Sequence, residues 1–316
     1  MQNMQFNKRL CSDSNIRCKR KEGIGMGLII KIYDVEHGSC SHIITPNNKH
    51  ILIDVGSKSN KSIVRHIKNK YFHNDLYNAR IDKLYITHPH EDHIYDLPTL
   101  YEELKPKVLQ RQKEAFDIVP TQNTAIHKDI ADCANMMNRE YNYPVGYGED
   151  AADEQWNGGV MVDIIIPRLE WTDKKDLNTF SSIIVVKFQG YKFVFTGDNP
   201  KNILDNMIDT NYQNIRSLVG EATCLLTPHH GRTGEYSEKF FKCVNPYLSL
   251  VSDKGIEYGT QNETARLYKG KGVKFDDVYR YVLTTRNDGT VTIKVENRIF
   301  TYAAKIIPTR CGHCSL

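Results

Sequence analysis

The chain has 316 residues, of which 40% are hydrophobic and 25% are charged. These proportions are typical of a globular protein with a substantial core, and they exclude a fibrous or largely disordered chain. The formal net charge of +4 is too small to indicate nucleic-acid binding by itself, so any basic surface must come from local clustering.

No stretch of the sequence reaches the roughly 18 consecutive apolar residues of a membrane-spanning helix, and the N-terminus lacks the apolar centre of a signal peptide. We therefore expect a cytoplasmic protein that makes no use of a membrane. The eight cysteines are dispersed, some of them within apolar runs such as TCLLT and FFKCV. This placement favours reduced, buried thiols over a disulfide framework.

Residues 1–26 are polar and basic without hydrophobic periodicity, and they are predicted to be a loose arm. Three strand-like runs follow, GLIIKIYDV, SHIIT and HILIDVG, and the turn-like PNNK predicts that they are antiparallel. The next segment, SIVRHIKNKYF, is predicted to be a helix because its apolar residues recur at helical spacing.

The run IDKLYIT predicts a buried strand that delivers the motif THPHEDH, residues 87–93, at its carboxyl end. DLPTLYEELK beyond it is predicted to be a helix, so the motif lies on a strand-to-helix loop. Residues 105–160 are less regular, with a helical segment TAIHKDIADCANMMNRE and an acidic run EDAADE. We interpret this range as an insertion over the site, or equally as a solvated surface excursion.

A second set of strands is predicted over VMVDIII, SSIIVVKF and YKFVFTGD, followed by the helix NPKNILDNMID. Three further strand-like runs follow, ATCLLT, YLSLVS and YRYVLTT, and the first of them leads into PHHG. The turn-like RNDG is predicted to join YRYVLTT to a last strand, GTVTIKV, in a hairpin. The order of elements predicts two sheets covered by helices, a four-layer α/β domain over residues 27–303 with a tail at 304–316.

Side chains that bind metals or move protons follow three of these predicted strands. Because the carboxyl ends of strands gather at one edge of such a domain, we expect these side chains to meet there. The three groups are His88, His90, Asp92 and His93; Asp198; and His229 and His230. They are sufficient to hold two divalent metal ions, and they suit Zn²⁺ and Mn²⁺ equally.

The spacing within THPHEDH has a physical reason. On an extended loop His88 and His90 point the same way and can share one ion, while the turn at Asp92 and His93 directs those side chains to a neighbouring ion. Asp198 could bridge two ions roughly 3.5–4 Å apart through its two carboxylate oxygens. Such a pair of ions lowers the pKa of a shared water and makes hydroxide available at neutral pH.

The motifs YDVEHGS, ILIDVG, THPHEDH, NTFSSIIVV, FTGD and PHHG, with a final TxxxG hairpin, occur in an order that resembles a known family. From about Gly27 to Val295 the chain is similar to metallo-β-lactamase-fold hydrolases, specifically the hydrolase domain of ComEC-type competence proteins. The resemblance implies an αββα sandwich with a dinuclear metal site. An HxHxDH motif followed at these distances by TGD and HHG is a specific signal.

The resemblance also implies a role for each metal-site residue. His88 and His90 would hold the first ion, and Asp92 and His93 the second. Asp198 would bridge the two ions, and His229 or His230 would complete the second site. In ComEC-type members the stretch corresponding to Asn178–Ser182 replaces a third histidine at the first ion, which leaves that site with few ligands. Asp54 would support the ligand histidines from behind.

The chain departs from the family pattern at two positions on the substrate side. Ser39 stands where the family has an acid, and Thr260 stands where it has a histidine. With His37 and Arg232 they are the candidate substrate-binding residues. His37 is a candidate because its loop resembles the family's site loop. The alternative is that His37 is an ordinary surface or core residue, as the isolated histidines His66, His73 and His127 are interpreted to be.

Two cysteines lie in the segment CGHC, residues 311–314, near the end of the sequence. The spacing matches redox dithiols, but the segment lacks the strand and helix that tune such a pair, so a frayed tail is favoured. The alternative is a four-thiolate zinc site formed with Cys11 and Cys18.

The predicted activity is hydrolysis by a hydroxide shared between two metal ions. The ComEC-type resemblance implies a phosphodiester substrate, so a phosphodiesterase or nuclease acting on DNA or RNA is the first choice, and the basic N-terminal arm could add phosphate contacts. One alternative is a hydrolase of small molecules such as a cyclic nucleotide, a phosphorylcholine-like ester or a lactone. Another is a binding or regulatory protein that keeps the metals without catalysis.

Overall fold

A computed structural model gives the fold of this chain. It describes residues 27–57, 61–73, 79–119, 126–146, 148, 150–254, 263–275 and 278–304. The predicted basic arm, Thr260 and the CGHC tail with its proposed partners Cys11 and Cys18 lie outside the described residues. The domain boundaries at residues 27 and 303 remain predictions.

Fifteen strands are formed by the described residues. They are β1 (Leu28–Ile32), β2 (Ser41–Ile44), β3 (His50–Ile53), β4 (Lys83–Tyr85), β5 (Val108–Gln110), β6 (Met161–Ile165), β7 (Ile183–Phe188), β8 (Tyr191–Phe195), β9 (Cys224–Leu226), β10 (Leu248–Val251), β11 (Val273–Phe275), β12 (Val278–Arg280), β13 (Val282–Thr284), β14 (Val291–Glu296) and β15 (Ile299–Ala303).

Ten α-helices accompany these strands within the described part of the chain. They are α1 (Ile63–Tyr71), α2 (Glu91–Ile94), α3 (Leu97–Glu103), α4 (Lys113–Ile118), α5 (Lys128–Glu140), α6 (Lys201–Asp209), α7 (Ile215–Val219), α8 (Glu238–Val244), α9 (Thr264–Leu267) and α10 (Thr285–Asp288).

The strands form two large sheets and one small ribbon. The first sheet has seven strands in the order β15-β14-β1-β2-β3-β4-β5, and the second has six in the order β13-β10-β9-β8-β7-β6. Strands β3, β4 and β5 are parallel to one another, as are β8, β9, β10 and β13. The carboxyl ends of these two parallel sets carry the motifs singled out in the sequence, which fits the expected place of a site.

The layers follow from where the apolar side chains are buried. The two sheets pack face to face through side chains such as Ile30, Ile51 and Phe193. Helices α1, α3 and α5 cover the outer face of the first sheet, and α6, α7 and α8 cover that of the second. The chain therefore has the predicted four-layer αββα sandwich.

One predicted pairing is wrong. YRYVLTT and GTVTIKV do not form a hairpin, because β13 pairs in parallel with β10 in the second sheet while β14 pairs antiparallel with β1 in the first. The residues between them form α10, in which Asp288 accepts a hydrogen bond from the backbone nitrogen of Thr284 at 2.8 Å. The chain then turns at Gly289, whose φ of 63° favours glycine, and crosses to the other sheet.

The range 105–160, predicted as an insertion, begins inside the fold. Its residues Val108–Gln110 are β5, the edge strand of the first sheet, and α4 and α5 pack against each other near that edge. Sequence reasoning missed β5 because a strand of three residues is too short to show a period.

A buried pair of histidines lies in the first sheet, away from the motifs. His42 on β2 and His50 on β3 face each other with 2.9 Å between His42 Nε2 and His50 Nδ1. The Tyr33 hydroxyl lies 3.3 Å from His42 Nδ1, and the rings of Tyr71 and Phe72 pack against the pair. Both histidines are almost completely buried.

The cysteines within the described ranges are free thiols, with Cys40, Cys133 and Cys224 buried and Cys243 half-buried. This agrees with the prediction of reduced, buried thiols for three of these cysteines, whereas Cys243 in FFKCV is only half-buried. Of the helices in the described ranges, none combines the length and apolar character needed to cross a bilayer.

Candidate metal centre

The motif THPHEDH follows β4 and is shaped by the start of a helix. His88 and His90 lie on the extended segment, and α2 begins at Glu91, so Asp92 and His93 project from its first turn. The backbone of Asp92 packs so closely on Gly56 that a Cβ there would lie 1.5 Å from the Asp92 carbonyl oxygen. A glycine is therefore required where the β3 segment meets the motif.

Four of the predicted ligands converge at one place. Donor atoms of Asp92, His93, Asp198 and His230 all lie within 4.8 Å of one another. His230 Nε2 lies 3.2 Å from Asp92 Oδ2 and 3.4 Å from Asp198 Oδ2. His93 Nε2 lies 3.1 Å from Asp198 Oδ1. The first sheet supplies Asp92 and His93, and the second supplies Asp198 and His230.

The other two histidines of the motif form a second group beside the first. His88 Nε2 lies 3.0 Å from His90 Nδ1, so the two ring nitrogens face one another. The ring of His88 lies 4.2 Å from that of His93, centroid to centroid. His88 and His90 thus place two further imidazoles beside the cluster of four.

Neighbouring groups fix the orientation of the ligand histidines. Asp54 Oδ2 lies 2.8 Å from His93 Nδ1, and both oxygens of Asp54 accept hydrogen bonds from Thr87, each at 2.8 Å. His230 Nδ1 donates to the carbonyl oxygen of Ser252 at 2.7 Å. Each histidine therefore directs Nε2 toward the carboxylates, which is the usual arrangement for a metal-binding imidazole.

The charges of the site oppose one another strongly. Burial alone would raise the pKa of Asp198, but His230, His93 and His229 hold it well below its usual range. Burial would likewise lower the pKa of His230, but the carboxylates of Asp198 and Asp92 raise it to about 10. Protons on the histidines thus supply the positive charge that the paired carboxylates require.

The residues fit a metal ion. His93 Nε2 is buried and faces Asp198 without the alignment of a hydrogen bond. This nitrogen therefore points into the cluster and is able to bind a metal ion. Imidazole and carboxylate ligands in this number suit a divalent cation, which would replace the protons held between them.

The structure separates the two histidines of PHHG. His230 joins the cluster of four, whereas His229 Nε2 lies 3.8 Å from Asp198 Oδ2 and its side chain is 12% exposed. Both residues have positive φ, 47° and 53°, so the backbone turns sharply and the two side chains diverge. This geometry favours His230 as the ligand at the second ion.

The Asn178–Ser182 stretch lies against the motif. The backbone nitrogen of Ser182 donates to the carbonyl oxygen of Thr87 at 3.0 Å. Ser182 Oγ and Asn178 Oδ1 are buried and have no hydrogen-bond partner among the described residues. The resemblance places a substitute for a third histidine of the first ion in this stretch.

The candidate substrate residues differ in their positions. His37 Nε2 lies 3.2 Å from Asp92 Oδ2, so this histidine belongs to the site. Ser39 is buried beneath the cluster, and its backbone nitrogen donates to the carbonyl oxygen of Asp92 at 3.0 Å. Arg232 is half-buried just after the histidine pair.

Sequence reasoning missed Asp253, which lies just beyond β10 with Asp253 Oδ1 3.8 Å from His37 Nδ1. The same rule that selected Asp198 and His230 could have found it, because Asp253 is a polar residue that follows a buried parallel strand. It also missed Thr87, the first residue of the motif, which holds Asp54.

The fold and the paired donor sets define a class of metal-binding αββα proteins. A family model described as the metallo-beta-lactamase superfamily matches residues 34–246. The chain belongs to this superfamily. Its members are generally metal-dependent hydrolases and typically bind a pair of zinc or iron ions.

Solved structures with a similar fold share little sequence with this chain. YhfI from Bacillus subtilis, a metallo-beta-lactamase fold protein, is 11% identical with a TM-score of 0.44, over 84% of this chain and 98% of its own. CmlA, a diiron beta-hydroxylase from Streptomyces venezuelae, is 14% identical with a TM-score of 0.43, over 78% of this chain and 50% of its own. Zn²⁺-bound PqqB from Methylobacterium extorquens is 13% identical with a TM-score of 0.34, over 60% and 59%. A search of curated proteins gives no match.

Proposed function

We propose that this chain is a dinuclear metal-dependent phosphodiesterase that cleaves nucleic acid, in the manner of the ComEC-type hydrolases whose motifs it resembles. The two adjoining donor sets carry the proposal. His88 and His90 would hold one ion, and Asp92, His93 and His230 the other, with Asp198 between them. Two ions side by side suit the displacement of one phosphate oxygen by another.

The protein's own groups would prepare the site for this reaction. Bound there, a pair of divalent ions, Zn²⁺ or Mn²⁺, would lower the pKa of a shared water and neutralise charge on the phosphate. Asp54 and the Ser252 carbonyl keep two ligand histidines in one orientation, so the ligand set needs little rearrangement. Arg232, next to the histidine pair, would bring a guanidinium to a phosphate oxygen.

A polymer substrate requires a site that solvent can reach. The Asp92 side chain is 17% exposed, and His90 is half-buried, so the cluster opens to the surface on this side. Lys174 and Lys175 are exposed on the loop that leads to Asn178. Their charge supports contact with a phosphate backbone, which the small net charge of the chain does not supply by itself.

The test is cleavage of labelled single-stranded and double-stranded DNA and RNA with added Mn²⁺ or Zn²⁺. The wild type is compared with an Asp92→Ala, His93→Ala double variant. We expect the double variant to lose at least about a thousandfold in rate, because it removes two ligands that act as a unit.

The matched control is an Asp132→Ala, His73→Ala double variant, which changes one acid and one histidine that are both exposed and away from the site. It should cleave as the wild type does. If the wild type binds metal but cleaves no polymer, the nuclease proposal is wrong, and small phosphodiesters and lactones become the substrates to test. Binding of metal without hydrolysis of any of these would favour a regulatory protein.

A further inference from the structure

We propose that His37 is a positioning residue that holds the Asp92 carboxylate in place for the second metal ion, with Asp253 on the far side of the imidazole ring. This inference rests on the proposed metal centre. It assigns a function to a histidine that is isolated in the sequence and to an acid that lies 216 residues away, at position 253.

The two ring nitrogens of His37 face two different carboxylates. Its Nε2 lies 3.2 Å from Asp92 Oδ2, which is a hydrogen-bonding distance, and its Nδ1 lies 3.8 Å from Asp253 Oδ1, which is an ion-pair distance. Its ring also packs on the ring of His230, with centroids 4.8 Å apart. His37 thus lies between two carboxylates, and one of them is a predicted ligand.

The backbone of the loop that carries His37 packs closely against the backbone of Asp92. Gly38 has a φ of 140°, and a Cβ at this position would lie 2.7 Å from the carbonyl oxygen of Asp92. The next residue, Ser39, donates its backbone N–H to the same oxygen at 3.0 Å. From the other side, Ser252 Oγ donates to the carbonyl oxygen of Gly38 at 2.7 Å. The backbone that follows His37 is therefore held by Asp92 on one side and by Ser252 on the other.

Asp253 is equally restrained. Its backbone nitrogen donates to Thr285 Oγ1 at 2.9 Å, and Thr285 Oγ1 donates to the Asp253 carbonyl oxygen at 3.0 Å. Arg286 Nη1 lies 3.6 Å from Asp253 Oδ2, and the Asp253 side chain is only 2% exposed. A buried carboxylate requires polar partners, and here the Arg286 guanidinium and the His37 ring face it.

The geometry points to support of Asp92 rather than to direct metal binding by His37. Asp92 lies on α2, a helix of four residues, and its side chain is partly exposed, so its carboxylate depends on the imidazoles of His37 and His230 for its position. His37 is outside the group of four whose donor atoms all lie within 4.8 Å of one another. His37 Nε2 and His230 Nε2 both face Asp92 Oδ2, each at 3.2 Å, so His37 would hold the same carboxylate oxygen that faces a predicted ligand.

Cobalt binding tests this inference without any substrate. Co²⁺ is titrated into the metal-free protein, and both the dissociation constant and the visible absorption spectrum of the complex are measured. His37→Ala should weaken binding by about 10–100-fold, the usual effect of removing a group that orients a ligand. His37→Gln should stay within about threefold of the wild type, with an unchanged spectrum, because its amide N–H can replace Nε2–H while glutamine is a poor metal ligand.

Two further variants complete the experiment. Asp253→Asn should weaken binding in the wild-type background but have little additional effect in the His37→Ala background, since both act through Asp92. His73→Ala changes an exposed histidine and should match the wild type. The melting temperature of each metal-free variant is measured alongside, so that a loss of folding is recognised.

The outcomes are distinct. Wild-type affinity in His37→Ala would overturn the inference. So would a weakened affinity and an altered spectrum in His37→Gln, because that pair of results makes His37 a metal ligand. Wild-type protein that binds no Co²⁺ would refute the metal centre and with it the proposed function. Tight Co²⁺ binding without cleavage of nucleic acid would refute the nuclease activity alone and leave the role of His37 supported by the variants.

Discussion

The buried pair His42 and His50 makes the fold sensitive to acid. Burial lowers the pKa of His50 from 6.5 to about 4, and burial also lowers the pKa of His42 well below its usual value. Both histidines are therefore neutral in the folded protein at pH values where they are protonated in the unfolded chain. The unfolded chain then binds more protons, so stability falls as the pH decreases.

The size of this effect follows from the pKa of His50. The stability contribution is fully present above pH 6.5 and is lost as the pH falls to about 4. At pH 5 the loss from His50 alone is about 2 kcal/mol, and below pH 4 it reaches about 3 kcal/mol, at 1.36 kcal/mol for each pKa unit. His42 adds to the loss in the same direction.

The measurement is urea unfolding of the metal-free protein between pH 7.5 and 4.5. The comparison is a His42→Gln, His50→Asn double variant, whose amides keep hydrogen-bonding groups at the positions of Nε2 and Nδ1 but do not titrate. We expect the wild type to lose at least about 2 kcal/mol more than the variant over this range. His73→Gln, at an exposed position, should follow the wild type. Parallel curves for the wild type and the double variant would refute the reasoning.

Three further predictions concern single positions. Gly38→Ala should destabilise the protein by about 1–3 kcal/mol in thermal unfolding and weaken metal binding, because its Cβ meets a carbonyl oxygen at positive φ, whereas Gly234→Ala has open space and should do neither. His230→Ala should lower metal affinity by at least about tenfold more than His229→Ala in a competition titration, and equal losses would contradict the assignment of the ligand. Ser62→Ala should cost about 1 kcal/mol in urea unfolding, since the Ser62 hydroxyl caps α1; an unchanged midpoint would show that the cap is compensated.

Much of the site could be predicted from the sequence because its residues obey one rule. Polar side chains that follow buried strands meet at the carboxyl edge of the sheets, and His93, Asp198 and His230 do so. Most strands of both sheets could likewise be predicted, because each forms a run of apolar residues long enough to be recognised. The layer arrangement followed from the order of these elements.

The parts that could not be predicted depend on contacts between distant segments. RNDG resembles a hairpin turn, and only the packing of the two sheets sends β13 and β14 to different partners. The loop motif made His37 a candidate substrate-binding residue, but its contacts with Asp92 and Asp253 could not be predicted, because those residues are far away in the chain. The choice between His229 and His230 depended on two backbone torsions that a sequence does not display.

The cluster of Asp92, His93, Asp198 and His230 takes two residues from each sheet, so an ion bound there would oppose separation of the sheets. An ion held by all four would act as a non-covalent cross-link at one end of the inter-sheet core. At a metal concentration 100 times the dissociation constant, binding adds about 2.7 kcal/mol to the free energy of unfolding. That gain opposes any opening that parts the sheets, so amide hydrogens of strands such as β4 and β9 should exchange more slowly with solvent in the loaded protein. Fraying at the ends of the outer helices breaks no such link, and exchange there should be the same with and without metal.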